Sequence, residues 1–403
     1  MIMKKNMEDL IIIGGGAAGL AAAVTAKRAA PSMRVTVLEK KDKPGRKLRA
    51  TGNGRCNITN TALATAPTTI AFFESLGIPA REDSEGRVYP FSESAPRVAD
   101  VFTEHLKALG VNLWTNAPVR GLLVEKGCFT VDVEKEQLFG KAVILATGGK
   151  AGPSYGCSGD GYALAKALGH NVTKTLPVLT GICCAEMPEA LKGIRVKGKL
   201  SLNCRDQVVF SEQGEIQFTD YGISGICVFN LSRYLKYLGE EKLEPYTIYL
   251  DLAPERSFAS MLFSWRQDSV LGGKTCTDVV SGMIKPPLAA LLLKQASINE
   301  KRKLSELSES EIFMLDEHLH LLSFKPVSTM GFKMAQCTAG GIKANEVDEK
   351  TLASKIMPGL YFAGEILDYD GPCGGYNLDH AFNTGRRAAE AAAAAFLQGG
   401  HHV

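Results

Sequence analysis

The segment DLIIIGGGAAGLAAAVTAKRAAPSMRVTVLEK, Asp9 to Lys40, decides the fold of this 403-residue chain. A fully apolar strand is predicted over Leu10–Ile13, and an alanine-rich helix follows until Pro31 ends it. A second apolar strand is predicted over Val35–Leu38. Entirely apolar strands are typical of a parallel sheet covered by helices on both faces. The segment is therefore predicted to be a βαβ unit of an α/β protein.

Three glycines occupy the turn between the first strand and the helix in the pattern G-x-G-x-x-G: Gly14, Gly16 and Gly19. In this pattern the first glycine allows a tight turn, the second lets backbone approach a pyrophosphate, and the third lets helix and strand pack closely. The helix N-terminus adds N–H donors and partial positive charge. Glu39 follows the second strand at the offset expected of an acid that accepts hydrogen bonds from ribose hydroxyls. These offsets together predict a dinucleotide site rather than a packing turn without ligand.

The sequence after Glu39, KKDKPGRKLRATGNGRCNITN, favours FAD over NAD. It resembles glutathione-reductase-type flavoproteins, in which the segment after the ribose acid crosses the cofactor. The backbone of Gly52–Gly54, together with Arg46, Lys47 and Arg55, suits the neighbourhood of a diphosphate and of a flavin that becomes anionic on reduction. The alternative interpretation is a solvated basic loop.

Cys56 in this loop is predicted to have a packing role rather than a redox role. A flavin disulfide reductase needs a second cysteine close in sequence, and none occurs between Cys56 and Cys128. The neighbouring Arg55 could lower the thiol pKa, but a buried cysteine that fixes the loop is the simpler interpretation.

Two later segments also indicate FAD. The first runs from a predicted β-meander, with Val119 expected near the adenine, into an apolar strand over Ala142–Ala146 and a glycine turn at 146–149. In the second segment a short strand precedes Gly364 and Glu365, and Glu365 is expected on a ribityl hydroxyl. A glycine-rich turn then leads to an alanine-rich helix near Asn377, whose N–H groups would stabilise negative charge on the flavin pyrimidine edge.

FAD is accordingly the predicted cofactor, NAD(P)H is a candidate transient reductant, and no metal site is expected. The residues predicted to contact FAD are Gly14, Gly15, Gly16, Ala17, Ala18, Gly19, Glu39, Lys40, Arg46, Lys47, Gly52, Asn53, Gly54, Arg55, Cys56, Asn57, Val119, Ala146, Thr147, Gly148, Gly364, Glu365, Gly374, Gly375, Asn377 and Leu378.

The middle of the chain has a different pattern. Alternating apolar and polar residues after position 194, with turns expected at Asp206–Gln207 and Gln213–Gly214, predict hairpins of a small antiparallel barrel. Helices are expected after it in KTCTDVVSGMIKPPLAALLLKQASI, where Pro286–Pro287 breaks the helical run, and in SESEIFMLDEHLHLLSF, where Ser308 and Glu311 form a capping box. The prediction is an FAD domain in two parts, 1–180 and 336–403, with an inserted barrel and helical region at 181–335. No second G-x-G-x-x-G unit for NAD(P)H follows the first.

Composition excludes several classes of protein. Net charge is +3 and the basic residues are dispersed, which argues against a nucleic-acid surface. The ten cysteines have irregular spacing without CxxC, so neither a disulfide framework nor a zinc or Fe–S site is indicated. The short apolar run before Gly14 is too brief for a signal peptide, and no stretch reaches the roughly 18 apolar residues of a membrane span. A cytoplasmic protein outside the membrane is expected.

Five segments carry a family resemblance: GRKLRATGNGRCNITN, GRVYPFSESAPRV, FTDYGISGICVFNLS, TAGGI and GLYFAGEILDYDGPCGGYNL. They resemble the BaiN/RdsA-like family of bacterial FAD-dependent oxidoreductases, which includes aminoacetone oxidase-like flavoproteins. The resemblance implies a glutathione-reductase-type FAD domain built from both ends of the chain around an inserted β-barrel. Asp220 stands where the family pattern has histidine, and Asn53 stands where the family loop has glycine.

The predicted function is hydride transfer between flavin and a small organic substrate, with the direction of transfer left open. Tyr155, Tyr376 and Asp370 lie in glycine-rich turns and are candidate proton donors. Two alternatives remain: a flavin enzyme that acts on RNA, and an FAD-binding sensor or interaction protein without turnover.

Overall fold

The computed structural model describes residues 7–134, 136–205, 207–235 and 246–399. The chain divides into two compact units. The first consists of Met1–Val178 and Gly331–Val403, and the second of Leu179–Met330. The mixed α/β fold expected from the opening segment is confirmed in the first unit.

The first unit contains a seven-stranded sheet in the order β6-β2-β1-β9-β8-β7, with β19 also paired to β9. β1, β2, β6, β9 and β19 pair in parallel, whereas β7 and β8 form antiparallel ladders. The strands are β1 (Met7–Ile13), β2 (Val35–Leu38), β6 (Asn112–Trp114), β7 (Val119–Glu125), β8 (Cys128–Val133), β9 (Glu136–Leu145) and β19 (Leu360–Phe362). The apolar strand predicted near Ala142 is thus the second half of the long strand β9.

Smaller elements complete this unit. β3 (Thr59–Asn60), β5 (Arg87–Pro90) and β4 (Ala80–Glu82) form a three-stranded sheet, and β10 (Leu176–Val178) pairs with β18 (Cys337–Ala339). The helices are α1 (Ala17–Ala29), α2 (Ala66–Ser75), α3 (Ala95–Ala108), α4 (Asp160–Ala167), α10 (Gly331–Met334) and α11 (Tyr376–Gly399). No helix of the described residues is long and apolar enough to cross a membrane.

The first and last long helices of the unit, α1 and α11, pack closely because their facing residues are small. A Cβ on Gly385 would lie 2.2 Å from the carbonyl oxygen of Ala18. The start of α11 also joins an aromatic cluster, in which the Phe382 ring lies 4.8 Å from Phe73 and 6.0 Å from Phe102. Buried aromatic pairs of this kind stabilise by about 0.5–1.5 kcal/mol beyond their buried area. The C-terminal helix is therefore part of the core of the first unit.

The second unit is an antiparallel seven-stranded sheet in the order β16-β15-β12-β13-β14-β11-β17. Only Lys325 separates β16 from β17, so one bent segment pairs with β15 through its first half and with β11 through its second. This segment closes the sheet into the small barrel that the alternating pattern predicted. The strands are β11 (Ile182–Cys184), β12 (Arg195–Cys204), β13 (Gln207–Phe218), β14 (Gly222–Ser224), β15 (Tyr246–Asp251), β16 (Leu322–Phe324) and β17 (Pro326–Thr329).

Helices pack on this barrel: α5 (Ile226–Ser232), α6 (Ala259–Gln267), α7 (Cys276–Met283), α8 (Pro286–Gln295) and α9 (Glu309–His320). The predicted break of the helical run at Pro286–Pro287 is confirmed, because α7 ends at Met283 and α8 begins at Pro286. The predicted capping box at the start of α9 is present, because Ser308 Oγ accepts from the N–H of Glu311 while the Glu311 carboxylate accepts from the N–H of Ser308.

One predicted turn of the barrel is wrong. Gln213 and Gly214 do not form a turn but lie inside β13, paired with Lys199 and Gly198 of β12. Gly214 is explained by packing: a Cβ there would lie 3.3 Å from Cβ of Cys227 in α5. The glycine therefore lets the helix approach the strand. The other predicted turn includes Asp206, which lies outside the described residues.

Candidate functional site

The predicted cofactor residues come together because several strands of the first unit end at one level. In the sheet register, Ile13 of β1 pairs with Leu38 of β2 on one side and with Leu145 of β9 on the other. Leu145 also pairs with Phe362 of β19. Gly14, Glu39 and Ala146 follow three of these ends directly and Gly364 follows the fourth after Ala363, so these residues lie along one edge of the sheet. The carboxyl ends of parallel strands are the usual ligand-binding edge of an open α/β sheet.

The glycines of the first turn have different structural reasons. Gly14 has φ +113°, and a Cβ on it would lie 2.4 Å from the carbonyl oxygen of Ala146. A Cβ on Gly19 would lie 1.9 Å from the carbonyl oxygen of Gly14. Both glycines are therefore required by the fold itself.

Gly16 is different, and it provides the test of whether a dinucleotide fits this turn. Its φ of −83° suits any residue, and a Cβ on it would meet no atom within 4 Å. No contact among the described residues requires glycine here. An open space beside the N-terminus of a 13-residue helix is what a diphosphate needs, since backbone N–H groups and the helix dipole favour an anion. The residues of this turn therefore fit the diphosphate of FAD.

Glu39 lies beside this turn and is partly fixed by backbone. Its Oε2 accepts from the N–H of Gly15 at 3.0 Å and its Oε1 accepts from the N–H of Lys41 at 2.8 Å. Burial raises the pKa of this carboxyl, while the two N–H donors and the charge of Lys40 oppose that shift. Both oxygens retain lone pairs, so the carboxylate can still accept from ribose hydroxyls.

The segment just before Val119 is hydrogen-bonded to the backbone around Glu39. The N–H of Ala117 donates to the carbonyl of Glu39 at 2.9 Å, and the N–H of Asn116 donates to the carbonyl of Lys41 at 2.9 Å. Val119 then begins β7 two residues later. The segment predicted to meet the adenine thus lies next to the residue predicted to bind the ribose.

Lys47 and Glu365 form an ion pair at 2.5 Å that joins the first and last parts of the unit. Thr338 donates its N–H to the Glu365 carboxylate at 3.1 Å. Burial lowers the pKa of Lys47, but the charge and hydrogen bond of Glu365 together with the nearby Cys157 and Cys337 outweigh burial, so the pKa lies above its ordinary value. A Cβ on Gly149 would lie 2.7 Å from Oε1 of Glu365, so the glycine turn after β9 is also in contact with this carboxylate.

The turn before α11 is fixed by Asn377. Its Oδ1 accepts from the N–H of Gly371 at 2.9 Å, and its Nδ2 donates to the carbonyl of the same residue at 2.9 Å. Asn57 accepts from the N–H of Gly375 at 3.1 Å when its amide is oriented to satisfy its neighbours. The N-terminus of α11, with Leu378 in its first turn, is thereby held against the loop 48–57.

Sequence reasoning missed a buried polar network that joins the same two segments. The Asp379 carboxylate accepts from the hydroxyls of Thr59, Thr65 and Thr69 at 2.7, 2.5 and 2.6 Å. Asn383 donates to the Thr69 hydroxyl at 2.8 Å. No spacing pattern could have indicated it, because the partners are more than 300 positions apart.

Three basic residues predicted to contact FAD instead have their side chains in contact with other protein groups. Lys40 pairs with Asp160 at 2.6 Å, and Arg46 forms an exposed pair with Asp42 at 2.9 Å. Arg55 is exposed, with its guanidinium 4.5 Å from the centre of the Tyr89 ring. For these basic residues, a role toward the cofactor stays a prediction.

Cys56 is fully buried, and burial raises the pKa of its thiol to about 12. At pH 8 the thiol should therefore be almost entirely protonated and shielded, since the thiolate becomes abundant only as the pH approaches that pKa. We expect iodoacetamide at pH 8 to modify the half-buried Cys183 well before Cys56 in native protein, measured by peptide mass spectrometry. Denatured protein, in which both should react, is the control. Early modification of Cys56 would contradict this assignment.

The candidate proton donors lie at different places. Tyr155 is 41% exposed in a short 3-10 helix, Pro153–Tyr155. Tyr376 begins α11, and its ring lies 3.7 Å from where a Cβ on Gly374 would be. Asp370 lies in the turn before that helix.

Asp220, the residue that departs from the family pattern, forms an exposed ion pair with Lys192 at 3.1 Å in the second unit.

Comparison with known proteins covers nearly the whole chain. The HI0933-like protein Rossmann domain matches residues 8–69 and 65–391. A 3-dehydro-bile acid delta(4,6)-reductase of Clostridium scindens is 34% identical, over 96% of this chain and 99% of that protein. A ribosomal RNA dihydrouridine synthase of Escherichia coli is 27% identical, over 95% and 97%. The solved structure of a 3-ketosteroid delta1-dehydrogenase from Sterolibacterium denitrificans aligns with TM-score 0.54 and 14% identity, over 97% of this chain and all of that one, a likeness of fold.

Proposed function

This chain belongs to the HI0933-like Rossmann-domain family, and we propose that it is an FAD-dependent oxidoreductase that saturates a carbon–carbon double bond conjugated to a carbonyl group. The proposed substrate is a small organic molecule. The observation that carries the proposal is the chemistry common to the two relatives. A delta(4,6)-reductase of a 3-dehydro bile acid and a dihydrouridine synthase both act on a double bond conjugated to a carbonyl.

The edge of the sheet supports this cofactor assignment. We assign the turn Gly14–Gly19 to the diphosphate, Glu39 to the ribose of the adenosine half, and Glu365 to the ribityl chain. The N–H groups that begin α11 are assigned to the pyrimidine edge of the flavin, where they would stabilise negative charge. When bound and reduced, FAD supplies the hydride. The chain supplies position, charge and a proton.

The source of electrons is proposed to be NAD(P)H, which would bind transiently. The sequence contains one G-x-G-x-x-G unit after a strand, and FAD is assigned to it. A nicotinamide would therefore use the open flavin face rather than a Rossmann domain of its own. Tyr376 is our preferred proton donor, because it begins the helix assigned to the flavin edge.

Glu39 provides a test of the cofactor assignment. We expect Glu39→Gln to weaken FAD binding by about tenfold, roughly 1.4 kcal/mol, because an amide replaces one acceptor oxygen with a donor. Gln keeps an acceptor for one of the two backbone N–H groups, so the unfolding transition should change little. Isothermal titration of apoprotein with FAD measures the effect. Unchanged FAD affinity would contradict the ribose assignment.

The reaction itself is tested with purified holoprotein under anaerobic conditions. NADH or NADPH is titrated first, and bleaching of the flavin absorbance shows reduction. Reduced protein is then mixed with 4-androstene-3,17-dione, a conjugated ketone, or with its saturated analogue as the control. Return of the oxidised spectrum with the conjugated ketone alone, and a product containing two more hydrogens, would support the proposal. Reoxidation by oxygen alone, across a panel of conjugated carbonyl compounds, would overturn it.

A second candidate is a flavin enzyme that acts on RNA, favoured by the relative named ribosomal RNA dihydrouridine synthase. Uracil also contains a double bond conjugated to a carbonyl, so the same chemistry applies to both substrates. The low net charge of +3 favours the small molecule. RNA affinity that falls steeply with salt, together with dihydrouridine formed in the bound RNA, would select the second candidate.

A further inference from the structure

Arg55 is an exposed cation with an unusual set of neighbours. Its guanidinium carbon lies 4.5 Å from the centre of the Tyr89 ring, and that tyrosine is only 6% exposed. Its Nε makes a long contact of 3.4 Å with the carbonyl of Gly52. Within the described ranges no carboxylate forms an ion pair with it. The stacked guanidinium thus keeps most of its donors available.

The basic residues around it are neutralised. Arg87, two positions before Tyr89 on β5, pairs with Asp83 at 2.8 Å and with Glu85 at 2.9 Å. Lys47, in the same loop region as Arg55, pairs with Glu365. Of Arg55, Arg87 and Lys47, Arg55 is therefore the cation without an ion pair among the described residues.

Arg55 lies on the loop that contacts the N-terminus of α11. A Cβ on Gly52 would lie 3.5 Å from the Tyr89 ring and 3.0 Å from the backbone nitrogen of Asn57. Asn57 in turn accepts from the N–H of Gly375, just before the helix. A Cβ on Gly54 would meet no atom within 4 Å, so the side of the loop next to Arg55 is open.

From this arrangement we propose that Arg55, stacked on Tyr89, binds the carbonyl oxygen of the substrate and stabilises the negative charge that develops on it. The inference rests on the proposed function and replaces the cofactor role predicted for Arg55. If Arg55 has this role, the preferred ligands are conjugated ketones and anions that carry negative charge where the carbonyl oxygen would lie.

The charge arises from the balance of the reaction. When a hydride is received at the β-carbon, the electron pair of the double bond moves toward the carbonyl group, and its oxygen becomes an enolate oxygen. A proton then adds to the α-carbon and gives the saturated carbonyl compound, while the reduced flavin that donated the hydride returns to its oxidised form. A group that binds this oxygen is most useful where its donors are already oriented.

Arginine suits that role here because its planar fork is held in place. Stacking on an aromatic face limits the rotation of the guanidinium, and arginine remains charged at all physiological pH values. Lysine at the same position would keep the charge but lose the fork and most of the stacking. Arg55→Lys should therefore retain part of the effect, and Arg55→Gln should retain almost none of it.

The test uses holoprotein and sulfite, which bonds through sulfur to N5 of oxidised flavin and leaves negative charge on the ring. Sulfite does not depend on the substrate being known. We expect Arg55→Gln to weaken sulfite binding about tenfold, measured by the loss of flavin absorbance, with Arg55→Lys intermediate. FAD affinity should stay within about twofold of the parent value, since Arg55 is assigned to the substrate. Arg256→Gln, an exposed arginine of the second unit, is the matched control.

The outcomes separate the two proposals. Unchanged sulfite affinity in Arg55→Gln overturns the role of Arg55, and so does a tenfold loss of FAD affinity, which would return Arg55 to the cofactor. The role of Arg55 is also overturned if 4-androstene-3,17-dione reoxidises the reduced Arg55→Gln variant as fast as it reoxidises the reduced parent protein. If parent protein reduces no conjugated ketone, the proposed function fails, and the sulfite titration still decides whether Arg55 is the anion-binding group beside the flavin.

Discussion

Replacing Gly16 by serine should weaken FAD binding by about 100-fold, equivalent to about 2.7 kcal/mol, without destabilising the protein. The added side chain would enter the open space beside the first turn, where the Cβ meets no described atom within 4 Å apart from its chain neighbours. The substitution suits the backbone, because φ is −83° and Gly16 is the N-cap of α1, a position that serine favours. Fluorescence titration of apoprotein with FAD measures the loss of affinity, and thermal unfolding of apoprotein measures stability.

The matched control is Gly282→Ser in α7 of the second unit. A Cβ on Gly282 also meets no atom within 4 Å, so the change adds the same atoms to an open position far along the chain from the cofactor residues. FAD affinity should be unaffected there. If Gly16→Ser bound FAD as tightly as Gly282→Ser, the diphosphate could not lie against Gly16, and the assignment of this turn would be wrong.

Replacing Asp379 by alanine should lower the free energy of unfolding of the first unit by on the order of 3 kcal/mol. Alanine would leave the hydroxyls of the buried Thr59 and Thr69, and that of the exposed Thr65, without their common acceptor. FAD affinity should fall as well, because the network holds the start of α11 against the loop segment that follows Cys56. Urea unfolding, followed by far-ultraviolet circular dichroism, measures the stability.

Asp379→Asn is the control for this network. Its Oδ1 can still accept from Thr59 and Thr69, the two hydroxyls that contact Oδ1 of the aspartate, and its amide can donate to the Thr65 hydroxyl. We expect it to lose less than half as much stability as the alanine variant. Equal unfolding midpoints for parent and Asp379→Ala would show that the network contributes nothing measurable.

The parts of the fold that could be predicted from sequence are those with local physical causes. Gly19 is recognisable because its close contact, with the carbonyl oxygen of Gly14, arises within a single strand–turn–helix unit, whereas the close contact of Gly14 comes from Ala146, more than 130 positions away. The apolar run of β1 indicated a strand buried on both faces, and the alternation in β12 indicated a strand with one exposed face. Ser308 and Glu311 form a capping box that depends only on their spacing.

The parts that could not be predicted depend on partners distant in sequence. The environment of Asp379 is set by threonines from the first fifth of the chain. Tyr89 under Arg55 comes from a separate small sheet, and no spacing rule connects the two. Gly214, a residue type usually associated with turns, instead lies inside β13, where a Cβ would come within 3.3 Å of Cβ of Cys227.

The closure of the barrel by the segment around Lys325 has a consequence for biosynthesis. The two ends of the second unit meet where Ile182 pairs with Thr329, so this unit is complete once residue 330 has left the ribosome. The first unit must still wait for α11, whose Asp379 completes contacts with residues translated long before. We therefore expect the inserted unit to fold on the nascent chain ahead of the domain that surrounds it in sequence, and a coenzyme site that includes the start of α11 would be complete only after that helix has been translated.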